Sequence, residues 1–123
     1  MATILLEVNY TVAQNCAVFA LDIPLIVPYE KKAHIQAVKL TTEGQFDYVK
    51  IISELIATPH GNSHLYSTLG PLFMTRRPNS AYYDNGFHFY VRPNIYNQLT
   101  FTFINERNAV LPLTSAMISI FIE

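Results

Sequence analysis

Apolar and polar residues alternate along the last part of the chain. In 99–103, leucine and phenylalanine alternate with threonine, and in 118–122 isoleucine occupies every second position. Alternation with a period of two places the apolar side chains on one face of a β-sheet. A chain terminus that is itself a strand is usually held in a sheet rather than frayed. The pattern therefore predicts that the C-terminus closes a β-sandwich.

Turn residues divide the rest of the chain into further strand-like runs. Clusters of Gly, Pro, Asn, Asp and Ser bound six apolar or alternating segments, as they bound strands in all-β proteins. These segments are 4–12, 16–23, 33–42, 45–56, 64–74 and 86–92. With the two C-terminal runs they predict about eight short strands. We therefore expect one all-β domain, 1–123, with an antiparallel, jelly-roll-like β-sandwich fold.

Proline and polar residues set the interpretation of two less regular segments. Segment 24–28 begins and ends with proline, which cannot donate a hydrogen bond to a central β-ladder. It is therefore predicted to be a crossing loop that buries Leu25, Ile26 and Val27. Segment 75–86 is predicted to be a polar loop, because it is rich in polar residues and ends in an Asp-Asn-Gly turn signal.

The middle of the chain allows two interpretations. Gly44 can supply the positive φ of a tight turn, which predicts a hairpin between 33–42 and 45–56. Residues 49–57 also show a helical spacing of apolar residues, so a short helix stays open there, although the β-branched residues favour a strand at its start. Segment 64–74 contains a Gly-Pro step and is predicted to be a broken or edge strand.

The composition indicates a domain that buries part of its surface against other subunits. Hydrophobic residues make up 50% of the chain and charged residues only 14%, against roughly 25% in typical soluble domains. Because large exposed apolar patches usually mark interfaces, we expect a homo-oligomer. The net charge of −1 provides no field for nucleic acid or a membrane surface, and no signal peptide is recognised. Cys16, the single cysteine, is predicted to be a small core residue, which fits a reducing compartment.

No motif in the chain selects a catalytic or metal chemistry. His60 and His64 are four residues apart, but their Gly/Asn turn lacks the helix that would align them. We interpret them as solvated loop side chains, with a loop metal site as the alternative. The glycines are isolated, and the chain has no Gly-x-Ser-x-Gly elbow. The expected protein is not an enzyme and has neither a cofactor nor a metal site.

Tyrosine and basic residues near the predicted loops and strand ends are the candidate binding residues. Tyrosine is favoured at interfaces because it buries a large area at low entropic cost. The basic residues could hold an anion if the fold gathers them with Lys31 and Lys32, and solvated loop charge is the simpler alternative. Partial burial at the rim of the sandwich is the alternative for each tyrosine. The candidates are Arg76, Arg77, Tyr82, Tyr83, His88, Tyr90, Arg92 and Tyr96.

The C-terminal third of the chain has a recognisable order of elements. A proline-containing connector leads to an alternating strand, followed by a polar turn, a Leu-Pro-Leu step and an apolar strand. These elements are Arg92-Pro93, 99–105, 106–108, Leu111-Pro112-Leu113 and 117–122. The order resembles the closing segment of small jelly-roll structural proteins of viruses and virus-like mobile elements, including penton-like and minor capsid proteins of virophages and polinton-type elements. The turn here is Asn-Glu-Arg-Asn, where an Asp/Gly pair is expected.

The resemblance implies a non-enzymatic viral structural protein: a capsid, vertex or capsid-decorating (cement) subunit that self-assembles. Its partners would be copies of itself, as a trimer or pentamer, and other capsid proteins, with no nucleic acid or membrane. Its location would be the virion, and the host cytoplasm before assembly. Two alternatives stay open. One is a receptor- or glycan-binding knob that uses loops 58–63, 75–86 and 105–110. The other is a small β-barrel ligand carrier or metal-dependent enzyme that uses His60, His64 or His88.

Overall fold

The alternating runs of the sequence form extended strands joined by short turns. The computed structural model describes residues 2–57, 67–78 and 80–123. Within these ranges it has ten strands: β1 Ala2–Gln14, β2 Ala17–Val27, β3 Lys31–Thr41, β4 Val49–Ser53, β5 Ser67–Leu72, β6 Thr75–Arg77, β7 Ser80–Tyr83, β8 Phe87–Val91, β9 Asn94–Ile104 and β10 Leu113–Ile122.

The strands form two antiparallel sheets that pack against each other. Sheet A has the order β1-β10-β3-β7-β6 and also carries β8, which pairs with β3. Sheet B has the order β2-β9-β4-β5. The predicted all-β sandwich is confirmed. The number of strands is larger than the eight expected, because segment 75–86 is not a loop throughout and supplies the hairpin of β6 and β7.

The strand pairs are nested along the sequence. The first strand pairs with the last, β2 pairs with β9, β3 with β8, and β4 with β5. Nested pairs of this kind arise when one long antiparallel hairpin is wound into two facing sheets of four strands, which is the jelly-roll arrangement. The β6–β7 hairpin lies outside this pattern and extends sheet A beside β3.

The C-terminal strand lies in the interior of sheet A, where β10 pairs with β1 on one side and β3 on the other. The apolar rows of β10 and β9 are buried and belong to one core cluster, although the two strands are in different sheets. These rows are Ile118, Ile120 and Ile122 in β10, and Leu99, Phe101 and Phe103 in β9. The prediction that the C-terminus closes the sandwich is thus confirmed.

The predicted loop at 24–28 is wrong, because β2 continues to Val27. Its pairing with β9 shifts between Ala20 and Leu25, so that four residues of β2 lie opposite Asn97 alone. The last of these four residues is Pro24, which lies in the unpaired bulge, where it removes no ladder hydrogen bond. The alternation of β2 is kept across the shift, so the inward parity of Ala17 and Phe19 continues at Leu25 and Val27. Val27 is buried and Leu25 is half-buried, whereas Ile26 is exposed.

The predicted hairpin at Gly44 is also wrong. Strand β3 belongs to sheet A and β4 to sheet B, so the connection between them crosses from one sheet to the other. Gly44 does not have a positive φ. A Cβ at this position would lie 2.7 Å from Cδ2 of Leu111, which is buried. Close approach to the core, rather than turn geometry, therefore requires glycine here.

For the other less regular segments, the structure agrees more closely with the predictions from the sequence. Residues 49–53 form β4 and a turn follows at 54–55, which excludes the helix. The edge-strand interpretation of 64–74 is confirmed over Ser67–Leu72, because β5 is the last strand of sheet B. Cys16 is half-buried rather than in the core, and the following Ala17 is fully buried instead.

A buried asparagine organises the loop between β9 and β10. The Oδ1 atom of Asn105 accepts hydrogen bonds from the backbone N–H groups of Arg107 and Ala109, both at 2.9 Å. Its Nδ2 donates to the carbonyl of Gln45 at 3.0 Å. Asn108, with a φ of 62°, completes the turn without the glycine that was expected. The asparagine side chain thus adds to the backbone hydrogen bonds of the loop, in which the N–H of Asn105 donates to the carbonyl of Ala109 at 2.9 Å.

We predict that Asn105→Ala lowers the free energy of unfolding by about 2–3 kcal/mol, because it removes three side-chain hydrogen bonds to backbone groups. Urea unfolding followed by circular dichroism measures this change. Asn97→Ala is the matched control, because Asn97 is exposed on the same strand, and it should change the stability by no more than about 0.5 kcal/mol. Equal stability of the two variants would contradict the role given to Asn105.

Candidate functional site

The outer face of sheet A consists of rows of side chains that cross its strands. One row contains four residues directly opposite one another: Thr3, Phe121, His34 and His88. A second row crosses five strands: Glu7, Met117, Lys39, Tyr82 and Thr75. Neighbouring positions along β3 and β10 are buried, so these rows face away from the core. We refer to this surface as the sheet A face.

Three rings lie side by side on the sheet A face. The ring of His34 is centred 5.3 Å from that of His88, with an angle of 49° between the two planes. On its other side, His34 is 5.3 Å from the ring of Phe121. His88 is exposed, as predicted, and His34 is half-buried. No local pattern in the sequence selects His34, because its proximity to His88 depends on the pairing of β3 with β8.

Two of the predicted tyrosines are exposed on the sheet A face. Tyr82 is 37% exposed and lies opposite Lys39, and Tyr90 is 46% exposed and lies opposite Lys32. Each tyrosine therefore presents a ring beside a lysine on the neighbouring strand. These two side chains are accessible to a partner or ligand in the single chain.

The other two tyrosines, together with Arg92, are part of the internal structure. Burial raises the pKa of Tyr83. Tyr96 is buried, and its Oη donates a hydrogen bond of 2.5 Å to the carbonyl of Arg92. Burial raises the pKa of Tyr96 to about 12, although the nearby Arg92 charge acts in the opposite direction. Nη2 of Arg92 donates to the carbonyl of Ile56 at 3.3 Å. Tyr83 and Tyr96 are thus not available at the surface.

The fold does not gather the basic residues into one anion site. Arg76 and Arg77 belong to β6, which β7 joins to the C-terminal end of β3. Lys31 and Lys32 lie at the N-terminal end of β3. The Arg76 guanidinium is 4.4 Å from the centre of the Phe46 ring, in a cation–π contact. The two groups of positive charge are therefore separated by the length of β3.

Exposed aliphatic residues form a second candidate surface, which the sequence analysis missed. Ile26 of β2 pairs directly with Ile95 of β9, and their side chains are 64% and 60% exposed. Ile23, in the adjacent bulge, is 82% exposed. We call these three residues the aliphatic patch. The signal in the sequence was Pro24, because the shift of register around it turns Ile95 outward, whereas Ile26 has the same outward parity as Val18.

A cavity of about 630 Å³ lies between β8 and β5. Its lining includes Phe87, Phe89 and Leu69, together with polar groups of Glu30 and His88. Its volume is in the range typical of small-molecule sites. Among the described residues, no group of three or more His, Cys, Asp or Glu side chains is placed to hold a metal ion. His60, His64 and loop 58–63, which the metal and knob alternatives invoked, lie outside the described residues.

Comparison with protein-family models and with curated proteins finds no match for this chain. In the part of the chain that the structure describes, no helix is long and apolar enough to cross a membrane. The arguments about function therefore rest on the surfaces described above.

The buried hydroxyl of Tyr96 predicts a specific alkaline sensitivity. The folded state favours the neutral hydroxyl of Tyr96, and this preference stabilises the fold. The stabilisation is complete below the unfolded pKa of 10.0 and is lost as the pH rises towards about 12. Tyr96→Phe should cost about 1 kcal/mol at pH 8 through the lost hydrogen bond. It should also flatten the decline of stability above pH 10.

Urea unfolding between pH 8 and pH 11.5 measures both effects. Tyr90→Phe is the matched control, because the Tyr90 ring is on the surface, and it should reproduce the wild-type curve. Tyr83 is present in all three proteins, so its titration cancels in the comparison. A Tyr96→Phe curve parallel to that of the wild type across this range would contradict the assignment.

Proposed function

We propose that this chain is a non-enzymatic structural subunit that self-assembles, of the viral capsid, vertex or capsid-decorating type. The observation that carries the proposal is the aliphatic patch on the outside of a jelly-roll sandwich. The C-terminal resemblance to small viral jelly-roll proteins supports the viral assignment. The virion is then the proposed location, with the host cytoplasm before assembly.

The aliphatic patch favours a protein partner because of its size and position. Three isoleucines that are mostly exposed could each gain roughly 1–2 kcal/mol on burial. Association costs about 4–15 kcal/mol in lost freedom of motion, so the patch needs neighbouring surface as well. Such surface is present: Val18 of β2 is 40% exposed, and β2 is an edge strand of sheet B.

A second copy of this chain is the proposed occupant of the patch. The chain has few charges to solvate its surface, which applies equally to every copy. An edge strand presents unpaired backbone groups that can contact another subunit. If the patch meets a different surface of the next copy, and the rotation between copies divides a full turn evenly, the copies form a closed ring. The proposed assembly is a trimer or a pentamer that associates with other capsid proteins.

Substitution within the patch tests this proposal. Wild-type protein should sediment as a closed oligomer, whereas Ile26→Lys and Ile95→Lys should weaken association at least about tenfold, since a buried lysine would lack a partner. Sedimentation velocity over a range of protein concentrations measures the change. Thr68→Lys is the matched control, because Thr68 is exposed on β5 at the opposite edge of sheet B, and it should leave the oligomer intact.

A wild-type chain that stays monomeric at high concentration and never joins a particle would overturn the proposal. A monomer that binds a glycan on an array, and loses this binding in Tyr82→Ala, would instead support the receptor-binding alternative. Circular dichroism of each variant separates loss of assembly from loss of folding.

A further inference from the structure

The imidazole pair on the sheet A face has the spacing of a metal-chelating site. His34 and His88 are directly opposite on β3 and β8, and their ring centres are 5.3 Å apart. A nitrogen–metal bond of about 2.0–2.1 Å implies that two imidazoles on one tetrahedral ion have ring centres about 5.2 Å apart. We propose that His34 and His88 bind one divalent transition-metal ion between them.

The positions of both rings are largely set before any ion binds. The backbones of β3 and β8 are fixed by five consecutive residue pairs, with His34 and His88 in the fourth. The Phe121 ring, 5.3 Å away, limits the movement of His34 on its other side. Because His88 is exposed, an ion between the rings remains open to solvent. Little conformational freedom is therefore lost when the two nitrogens bind the ion.

The charges around the pair are few and of both signs. On β3, Lys32 precedes His34 by two residues on the same face, and on β8 Tyr90 occupies the matching position. Beyond the end of β10, the backbone N–H of Glu123 donates to the carbonyl of Lys32 at 3.0 Å, which places this carboxylate-bearing residue beside the lysine. The neighbouring residue on β10 is Phe121, and the next on β1 is Thr3, both uncharged. Among the described residues, the charged groups near the pair are thus Lys32, Glu123 and Glu30, which lines the same cavity as His88.

The ligand set determines which ions fit. Imidazole nitrogen suits Cu²⁺, Ni²⁺ and Zn²⁺, and the affinity of such a site rises from Ni²⁺ to Cu²⁺. The described residues offer no third protein ligand placed for the ion, so water completes the coordination. Both imidazoles must be neutral to coordinate the ion, so protons compete with the metal for the site.

Titration calorimetry with Ni²⁺ at pH 7.5 tests the proposal. The wild-type chain should bind one ion per His34–His88 pair, and His34→Gln or His88→Gln should each lower the affinity at least about tenfold, since one of two ligands is lost. The double variant His60→Gln/His64→Gln is the matched control and should bind Ni²⁺ like the wild type. His88 is exposed and His34 is half-buried, and circular dichroism checks that the variants fold.

Electron paramagnetic resonance of the Cu²⁺-loaded wild type gives a second readout that needs no variant. Two coordinated imidazole nitrogens should be detected at pH 7.5. Three results would each overturn the proposal: no binding at millimolar Ni²⁺, unchanged binding in both His34→Gln and His88→Gln, or loss of binding in the His60/His64 control. None of these results depends on the oligomeric state, so the failure of this site and the failure of the proposed assembly are distinguishable.

Discussion

Pairing of the first strand with the last holds sheet A together. Ile122 lies opposite Ala2 on one side and Ala33 on the other, so the C-terminal strand supplies the ladder that joins β1 to β3. Without β10, both neighbours would lose a complete row of backbone hydrogen bonds and the core would lose its isoleucine row. Such contacts between distant parts of the chain are the slow, entropically costly kind. The nested strand pairs reduce this entropic cost, because each inner pair, once formed, shortens the loop that the next outer pair must close.

The sequence predicted strands well where one face is buried and the other is not. In β8, β9 and β10, inward isoleucine, leucine, phenylalanine or valine alternates with outward polar or aromatic residues, so the period of two is visible. Around Pro24 the prediction failed, since the bulge shifts the register and a local pattern cannot show which residues are unpaired. At Gly44 it failed for another reason: a turn signal does not tell which sheet the next strand joins. Close approach to Leu111 depends on residues far along the chain.

The same limit applies to the candidate surfaces. Residue type alone selected four tyrosines, but position on the strand separates them: Tyr82 and Tyr90 face outward, whereas Tyr83 and Tyr96 face the core. The sequence alone could not tell which of the adjacent Tyr82 and Tyr83 faces outward, because the outward positions of β7 are set by its pairing with β3. The pairing of β3 with β8 likewise brings His34 to His88. Surface chemistry in this fold is largely a consequence of register, which arises from non-local contacts.

The two candidate surfaces lie on different sheets, and this separation makes the two proposals compatible. The aliphatic patch is formed by β2 and β9 of sheet B, while the imidazole pair is formed by β3 and β8 of sheet A. In a sandwich, the outer faces of the two sheets point in opposite directions. Assembly through the patch would thus leave the imidazole pair accessible, and an ion held by two histidines would keep coordination positions for a group from another molecule. A subunit of this design could use apolar burial to join its own copies and metal coordination to engage a different component.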